Sequence, residues 1–237
     1  MTTTPSMAHQ HRVVIIEDHA LFAESLELTL TREGYDVRRL EVPEEGGSLA
    51  TLRAAAIRLR PRVVLLDLDL GRLGDGVALI GPLAQSGANV VVVTASTDRG
   101  RWGSCVRAGA RKVLSKTRPL QETLSTVRRL MQGLPVMSTD ELESLLAEWR
   151  AQRAEIEDMS NRLERLTPRE KEVLSRLIDG TTVREIARIS VVSEATVRTQ
   201  VKSILAKLEV SSQLAAVGMA NHVGWRPIVS SQRTSLP

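Results

Sequence analysis

Residues 12–18 read RVVIIED, a run of β-branched apolar residues that ends in two carboxylates. A second run, residues 63–69, reads VVLLDLD and also ends in acidic residues. Apolar runs recur at residues 90–93 and 113–114, and a weaker one lies at residues 37–42. Short runs without an exposed polar face are typical of strands in a parallel sheet. The pattern therefore predicts five parallel strands.

The segments between these runs are rich in Leu, Ala and Arg at helical spacing, so we expect helices there. They are residues 21–31, 49–59, 77–85, 99–108 and 120–131. Alternating strands and helices predict a sheet covered on both faces, with right-handed crossovers. We expect residues 11–133 to form an α/β domain, a five-stranded doubly wound parallel sheet of flavodoxin-like architecture.

The composition limits the class of protein. A chain of 237 residues with 42% hydrophobic content has room for two small domains. Its single cysteine, Cys105, excludes an internal disulfide framework and a cysteine-rich zinc site, as expected in a reducing cytoplasm. No apolar stretch approaches membrane-spanning length, and residues 1–12 lack the apolar core of a signal peptide. We therefore expect a cytoplasmic chain without membrane association.

Polar residues follow the ends of four of the predicted strands. They are Glu17, Asp18, Asp67, Thr94 and Lys116. In doubly wound sheets the ligand crevice lies outside the carboxyl ends of the strands, so these side chains should meet there. Crowded carboxylates repel one another unless a cation neutralises them, and an all-oxygen site suits Mg²⁺. The pattern predicts a pocket in which Asp67 attacks a phosphoryl donor, Lys116 neutralises the phosphoryl oxygens and Thr94 donates a hydrogen bond.

Four motifs carry a family resemblance. They are EDHALF at residues 17–22, LLDLD at 65–69, VTA at 93–95, and AGA at 108–110 leading to Lys116. Together they closely resemble a bacterial response-regulator receiver domain. The resemblance implies a phosphoacceptor at Asp67 and contacts to the phosphoryl group from Thr94 and Lys116. It implies that the Mg²⁺ ligands are Glu17, Asp18, Asp67 and the main-chain carbonyl of Asp69.

The sequence departs from the receiver pattern at the residues that transmit the signal. Val113 stands at the position of the usual aromatic switch residue, and Gly71 stands where such domains often have proline. Lys116 is followed by Thr117-Arg118-Pro119 instead of directly by proline. We therefore expect intact phosphorylation chemistry with either a different coupling surface or activity that depends weakly on phosphate.

An enzyme of another class shares part of this pattern. Haloacid-dehalogenase-like phosphatases also use Asp-x-Asp at a strand end, as at Asp67 and Asp69, followed by a strand-end Ser/Thr and a Lys. Their metal-binding acidic pair follows the lysine, whereas here Glu17 and Asp18 precede every other motif. This order favours a regulator that is not an enzyme.

A long helical linker is predicted at residues 138–165. Residues 138–141, STDE, read as a capping box at its start. Two heptad positions carry mainly apolar residues, which are Leu142, Trp149, Ile156 and Leu163 at one and Leu145, Gln152, Met159 and Leu166 at the other. This spacing favours a coiled-coil homodimer seam. A single amphipathic helix packed on its own domain remains an alternative.

Residues 166–224 carry the signals of four short helices. TPRE at residues 167–170 and TVRE at 182–185 read as capping boxes. Ser193 is a predicted cap for a third helix, and Ser211 or Ser212 for a fourth. Short helices with tight turns predict an all-α helix-turn-helix domain. We expect residues 1–10 and 225–237 to be flexible tails.

The third of these helices has the pattern of a recognition helix. At 100° per residue its apolar residues gather on one face, and Ala195, Arg198, Thr199, Lys202 and Ala206 gather on the other. Small residues permit close approach to DNA, and Arg and Lys reach guanine edges or phosphates. We therefore expect Arg198, Thr199 and Lys202 to contact double-stranded DNA in the major groove.

The same region closely resembles the LuxR/NarL-type DNA-binding domain. The resemblance rests on LTPREKEVL at residues 166–174, REIA at 184–187 and SEATVRTQVKSILAKL at 193–208. With the receiver resemblance it implies a two-component transcription factor that a histidine kinase phosphorylates on Asp67 and that binds DNA as a dimer. The alternative is an atypical regulator that binds DNA independently of phosphorylation.

Overall fold

The computed structural model describes residues 11–43 and 46–226. The chain divides into two compact units, residues 1–151 and 152–237. The tails expected at residues 1–10 and 225–237 lie outside the described residues, except for Trp225 and Arg226. In the described part of the chain, no helix is both long enough and apolar enough to cross a membrane.

The first unit contains the predicted sheet. Its strands are β1 (Arg12–Ile16), β2 (Asp36–Leu40), β3 (Val63–Leu66), β4 (Asn89–Thr94) and β5 (Lys112–Ser115). All neighbours are parallel, in the order β2-β1-β3-β4-β5. Because the chain reverses its direction of winding after β2, the crevice of such a sheet lies between the ends of β1 and β3. The doubly wound prediction is confirmed.

Five helices cover the two faces of this sheet. They are α1 (Ala20–Arg32), α2 (Leu49–Arg58), α3 (Val77–Gln85), α4 (Arg99–Ala108) and α5 (Leu120–Met131). Successive strand residues point to opposite faces, so Val13 and Ile15 pack under α1 and α5 while Val14 and Ile16 pack under α2 and α3. This two-sided burial explains why the strands are continuous apolar runs.

The predicted linker is one helix, α6 (Thr139–Glu164), and the Ser138 hydroxyl accepts a hydrogen bond from the Glu141 amide at its start. Residues 139–151 of α6 belong to the first unit and 152–164 to the second. Leu145 is 1% exposed, and its backbone lies against Gly103 of α4. Leu163 is buried in the core of the second unit. These positions of the proposed dimer seam are therefore used within one chain, as the single-helix alternative expects, and the coiled coil stays a prediction.

The second unit contains the four predicted helices, α7 (Pro168–Ile178), α8 (Val183–Ile189), α9 (Glu194–Leu208) and α10 (Gln213–His222). Thr167 and Thr182 both form complete capping boxes, and the hydroxyls of Ser193 and Ser212 cap α9 and α10. These caps satisfy amide groups that otherwise have no partner at a helix start. The helices enclose one apolar core that includes Val173, Ile186 and Ile204.

Candidate phosphorylation and DNA-binding sites

A buried polar cluster lies at the carboxyl ends of β1, β3, β4 and β5. Glu17 follows β1, Asp67 follows β3, Thr94 ends β4 and Lys116 follows β5. Glu17, Asp67 and Thr94 are all buried. The backbone brings them together, because the Asp67 amide donates to the Ile16 carbonyl and the Lys116 amide donates to the Thr94 carbonyl. The predicted residues thus meet at one edge of the sheet.

Lys116 bridges the two buried carboxylates. Its Nζ lies 2.7 Å from Oε1 of Glu17 and 2.7 Å from Oδ2 of Asp67. Burial acts to lower the pKa of Lys116, but its hydrogen bonds to Asp67 and Glu17 outweigh this effect and leave the pKa raised. Burial and the neighbouring Asp67 charge raise the pKa of Glu17 against the lowering effect of Lys116. Lys116 is therefore held as a cation beside the Asp67 carboxylate.

The other oxygen of Asp67 also has a partner. Its Oδ1 accepts a hydrogen bond of 2.7 Å from the amide of Leu68. Two donors from different parts of the chain thus fix the orientation of one carboxylate, with Oδ2 on the lysine side. A carboxylate held in this way needs little reorganisation to attack an incoming group.

Four side chains form a group with the spacing of a metal site. One ligand atom each from Glu17, Asp18, His19 and Asp67 lies within 4.8 Å of the others. Three of these donors are carboxylate oxygens, the ligands that hard divalent cations prefer, so the residues fit such an ion. Nδ1 of His19 lies 2.7 Å from Asp18, and that negative charge, together with a hydrogen bond to Glu17, raises the pKa of His19.

Asp69 does not direct its carboxylate into this group. Its side chain is 59% exposed, and Oδ1 lies 3.2 Å from the guanidinium of Arg101, which also contacts Asp75 at 3.1 Å. The role that the resemblance implies for Asp69 concerns its main-chain carbonyl, and that role stays a prediction. Arg101 was missed by the sequence interpretation, since only the fold brings α4 beside the loop after β3.

The end of β4 is connected to α4 by two hydrogen bonds. Oγ1 of Thr94 accepts from the amide of Ser96 at 3.1 Å, and the Ser96 carbonyl accepts from the indole Nε1 of Trp102 at 3.0 Å. Val113 is buried among aliphatic residues of the core. Trp102 is therefore an aromatic residue that is hydrogen-bonded to the loop between β4 and α4. The sequence motifs did not indicate this contact.

Helix α9 presents the predicted recognition face. Arg198, Thr199 and Lys202 are exposed, whereas Val197 and Ile204 are buried on the opposite side. The Arg198 side chain is 71% exposed and lies 3.6 Å from Glu194, so it is only loosely paired. Ion pairs of this kind contribute little energy, and the guanidinium can exchange this partner for a base or a phosphate.

A buried carboxylate fixes the position of α9 on α7. Glu170, which completes the capping box of α7 with Thr167, accepts hydrogen bonds of 2.7 Å from both Ser203 and Lys207. Burial acts to raise the pKa of Glu170, but these bonds and those from Thr167 lower it to about 2. Both donors lie on the inner side of α9, so this contact sets which face of the helix points outward.

Two protein families match this chain. Residues 13–128 match the response regulator receiver domain, and residues 164–220 match the bacterial regulatory proteins of the luxR family. The two matched segments correspond to the sheet domain and to the four-helix domain described above. Together they account for most of the described chain.

Individual proteins are also similar to this chain. The transcriptional regulatory protein DesR of Bacillus subtilis is 28% identical, over 70% of this chain and 76% of its own. The nitrate/nitrite response regulator protein NarP of Escherichia coli is 30% identical, over 86% of this chain and 92% of its own. A solved structure of RcsB from Salmonella enterica serovar Typhimurium, bound to a promoter with the phosphomimetic BeF3−, is 22% identical with a TM-score of 0.48, over 90% and 99% of the two chains.

Proposed function

We propose a phosphate-controlled function for this chain on the premise that it belongs to the response regulators in which a receiver domain precedes a luxR-family DNA-binding domain. It is a DNA-binding regulator of transcription. The observation that carries the proposed control is the bridge from Lys116 to Asp67 and Glu17 at 2.7 Å. Such a bridge places a fixed cation beside a buried carboxylate at the end of a central strand.

In the proposed reaction Asp67 accepts a phosphoryl group from a sensor histidine kinase. An Oδ atom of Asp67 attacks phosphorus, the P–N bond to the kinase histidine breaks, and an acyl phosphate forms. Lys116 neutralises charge on the phosphoryl oxygens, and Thr94 donates a hydrogen bond to one of them. We propose Glu17, Asp18, Asp67 and the main-chain carbonyl of Asp69 as ligands of Mg²⁺, which would supply further neutralisation of these oxygens.

The proposed output is binding of a homodimer to double-stranded DNA in the cytoplasm. Arg198, Thr199 and Lys202 enter the major groove from α9, and two copies read half-sites about one helical turn apart. The support for this assignment is the exposure of these three side chains beside a buried apolar face. Dimerisation through the seam of α6 is a further part of the proposal.

A second candidate is a regulator that binds DNA independently of phosphate. Val113 favours it, because a valine has no ring that can turn inward when Thr94 moves. In this alternative the receiver domain serves mainly for dimerisation.

One experiment separates the two candidates. DNA duplexes that the purified protein selects from a random pool are used to measure affinity for the wild type and for Asp67→Asn, each with and without acetyl phosphate and Mg²⁺. Our proposal expects phosphate to raise the affinity of the wild type about tenfold and to leave the variant unchanged. Equal affinities in all four conditions, with phosphate incorporated into the wild type, would favour the second candidate.

A further inference from the structure

The first half of α6 is docked on α4 and β5 by one face of the helix. Arg99 donates to both carboxylate oxygens of Glu148 at 2.8 Å, and Lys112 donates to Glu141 at 2.7 Å. The guanidinium carbon of Arg107 lies 4.6 Å from the centre of the Trp149 ring. Counted from Glu141, the α6 residues Leu145, Glu148 and Trp149 follow at four, seven and eight positions, which places them on one side of the helix.

Backbone contact occurs at the centre of this surface. A Cβ atom added at Gly103 would lie 2.1 Å from the carbonyl oxygen of Leu145 and 2.7 Å from Cβ of Trp149. Separations this short require the helices to move apart, since the Leu145 atom belongs to the backbone and has no rotamer to change. Only glycine at position 103 permits α6 to lie at this distance from α4.

Gly103 is adjacent to the residue that connects α4 with the phosphorylation pocket. Trp102 donates its indole hydrogen to the Ser96 carbonyl at 3.0 Å, and the Ser96 amide donates to the Thr94 hydroxyl at 3.1 Å. Thr94 is fully buried at the end of β4. A continuous series of contacts thus leads from Thr94 through Ser96 to Trp102, and from its neighbour Gly103 to the docked half of α6.

We propose that Trp102 is the positioning residue through which the state of Asp67 controls the docking of α6. This inference rests on the proposed phosphorylation of Asp67. Rotation of the Thr94 side chain that brings its hydroxyl to a phosphoryl oxygen moves Oγ1, the atom that accepts the hydrogen bond from the Ser96 amide. The Ser96 carbonyl then shifts relative to Trp102, α4 moves, and Gly103 no longer supports Leu145.

Release of α6 changes which surface is available to a second copy of the chain. The docked face contains Leu145 and Trp149, which also belong to the predicted coiled-coil seam, and Leu145 is 1% exposed while docked. The same side chains cannot pack on α4 and on a partner helix at once. Docking on α4 therefore competes with pairing of two α6 helices, and the phosphoryl group shifts the balance toward pairing.

The test measures amide hydrogen exchange of residues 139–151 with and without BeF3− and Mg²⁺. In the wild type, BeF3− should accelerate exchange in this segment about tenfold. Trp102→Phe keeps an aromatic ring but removes the N–H donor. This variant should still bind BeF3−, but exchange in residues 139–151 should change less than twofold when it does. Trp225→Phe, a matched change in the second unit, should respond like the wild type. Gly103→Ala should exchange rapidly in both conditions.

Fluorine NMR of bound BeF3− keeps this inference separate from the proposed function. If BeF3− binds the wild type and exchange in residues 139–151 does not change, the inference is wrong while the acceptor assignment stands. A full response in Trp102→Phe also overturns it. If BeF3− does not bind the wild type at all, the proposed phosphorylation fails, and slow exchange in Gly103→Ala would then exclude the docking contact independently.

Discussion

Nζ of Lys116 lies 2.7 Å from Oδ2 of Asp67, although 49 residues separate them in the chain. The same nitrogen contacts Glu17, so one ammonium group balances two buried carboxylates. Removing one partner of a buried ion pair leaves the other charge uncompensated, which is far more costly than losing an exposed pair. We therefore expect Lys116 to stabilise the receiver domain, in addition to its proposed contact with a phosphoryl group.

We expect Lys116→Met to lower the free energy of unfolding of the receiver domain by about 3 kcal/mol, since it leaves Glu17 and Asp67 without their cation. A divalent cation at the carboxylates should restore part of this loss. Urea unfolding with and without Mg²⁺ measures both effects. Lys171→Met, which removes a partly exposed lysine of the other unit, should cost less than about 1 kcal/mol and be insensitive to Mg²⁺.

Asp67→Asn should abolish incorporation of phosphate from acetyl phosphate, because an amide cannot form the acyl phosphate. Intact-mass spectrometry detects the added group. Asp75→Asn is the matched control, since this exposed carboxylate forms an ion pair with Arg101 and lies outside the group formed by Glu17, Asp18, His19 and Asp67. Undiminished incorporation into Asp67→Asn would show that another residue is the acceptor.

The single variants Arg198→Ala and Lys202→Ala should each bind DNA about tenfold more weakly at moderate salt, as expected for the loss of one base or phosphate contact. If the lost contact is to a phosphate, the slope of log K against log[salt] should also become shallower by about one unit. Fluorescence anisotropy over a series of salt concentrations measures both quantities. Lys171→Ala on α7 serves as the control, and an affinity loss equal to that of Arg198→Ala would contradict the assignment of α9.

The stability of the DNA-binding domain should fall in acid because of Glu170. Its pKa in the folded chain is about 2, below the ordinary value of 4.5, so its contribution is complete above pH 4.5 and is lost as the pH falls toward 2. The shift corresponds to about 3 kcal/mol. Glu170→Gln should remove this part of the pH dependence, whereas Glu164→Gln, at an exposed position, should keep it.

The test is denaturation of the full-length chain at several pH values, monitored through NMR signals of residues in α7 and α9. It compares the pH dependence of stability in the wild type, Glu170→Gln and Glu164→Gln. A wild-type domain that is equally stable at pH 5 and pH 2.5 would contradict the role of Glu170. The comparison with Glu164→Gln matters, because other carboxylates also take up protons in this range.

The sequence by itself determined the sheet domain and most of its site. Buried parallel strands must be apolar on both faces, so their ends are visible as the first polar residues after each run, and Asp67 and Lys116 stand there. The helices of the second unit were equally visible, because capping by Thr167 and Thr182 is a local interaction within four residues. Helix caps and strand ends depend on residues that are close together in the chain, so both can be recognised from the sequence alone.

Only the tertiary structure decided how the elements use their surfaces. The heptad pattern of α6 indicates an apolar face but does not identify the surface that this face contacts. That surface includes Gly103, which is far from Leu145 in the chain, so no local pattern could reveal the contact. The same holds for the bond from Trp102 to Ser96, since tryptophan at a helical position has no pattern that identifies a carbonyl acceptor. Periodicity encodes which side of a helix is buried, whereas the packing of whole elements decides what covers it.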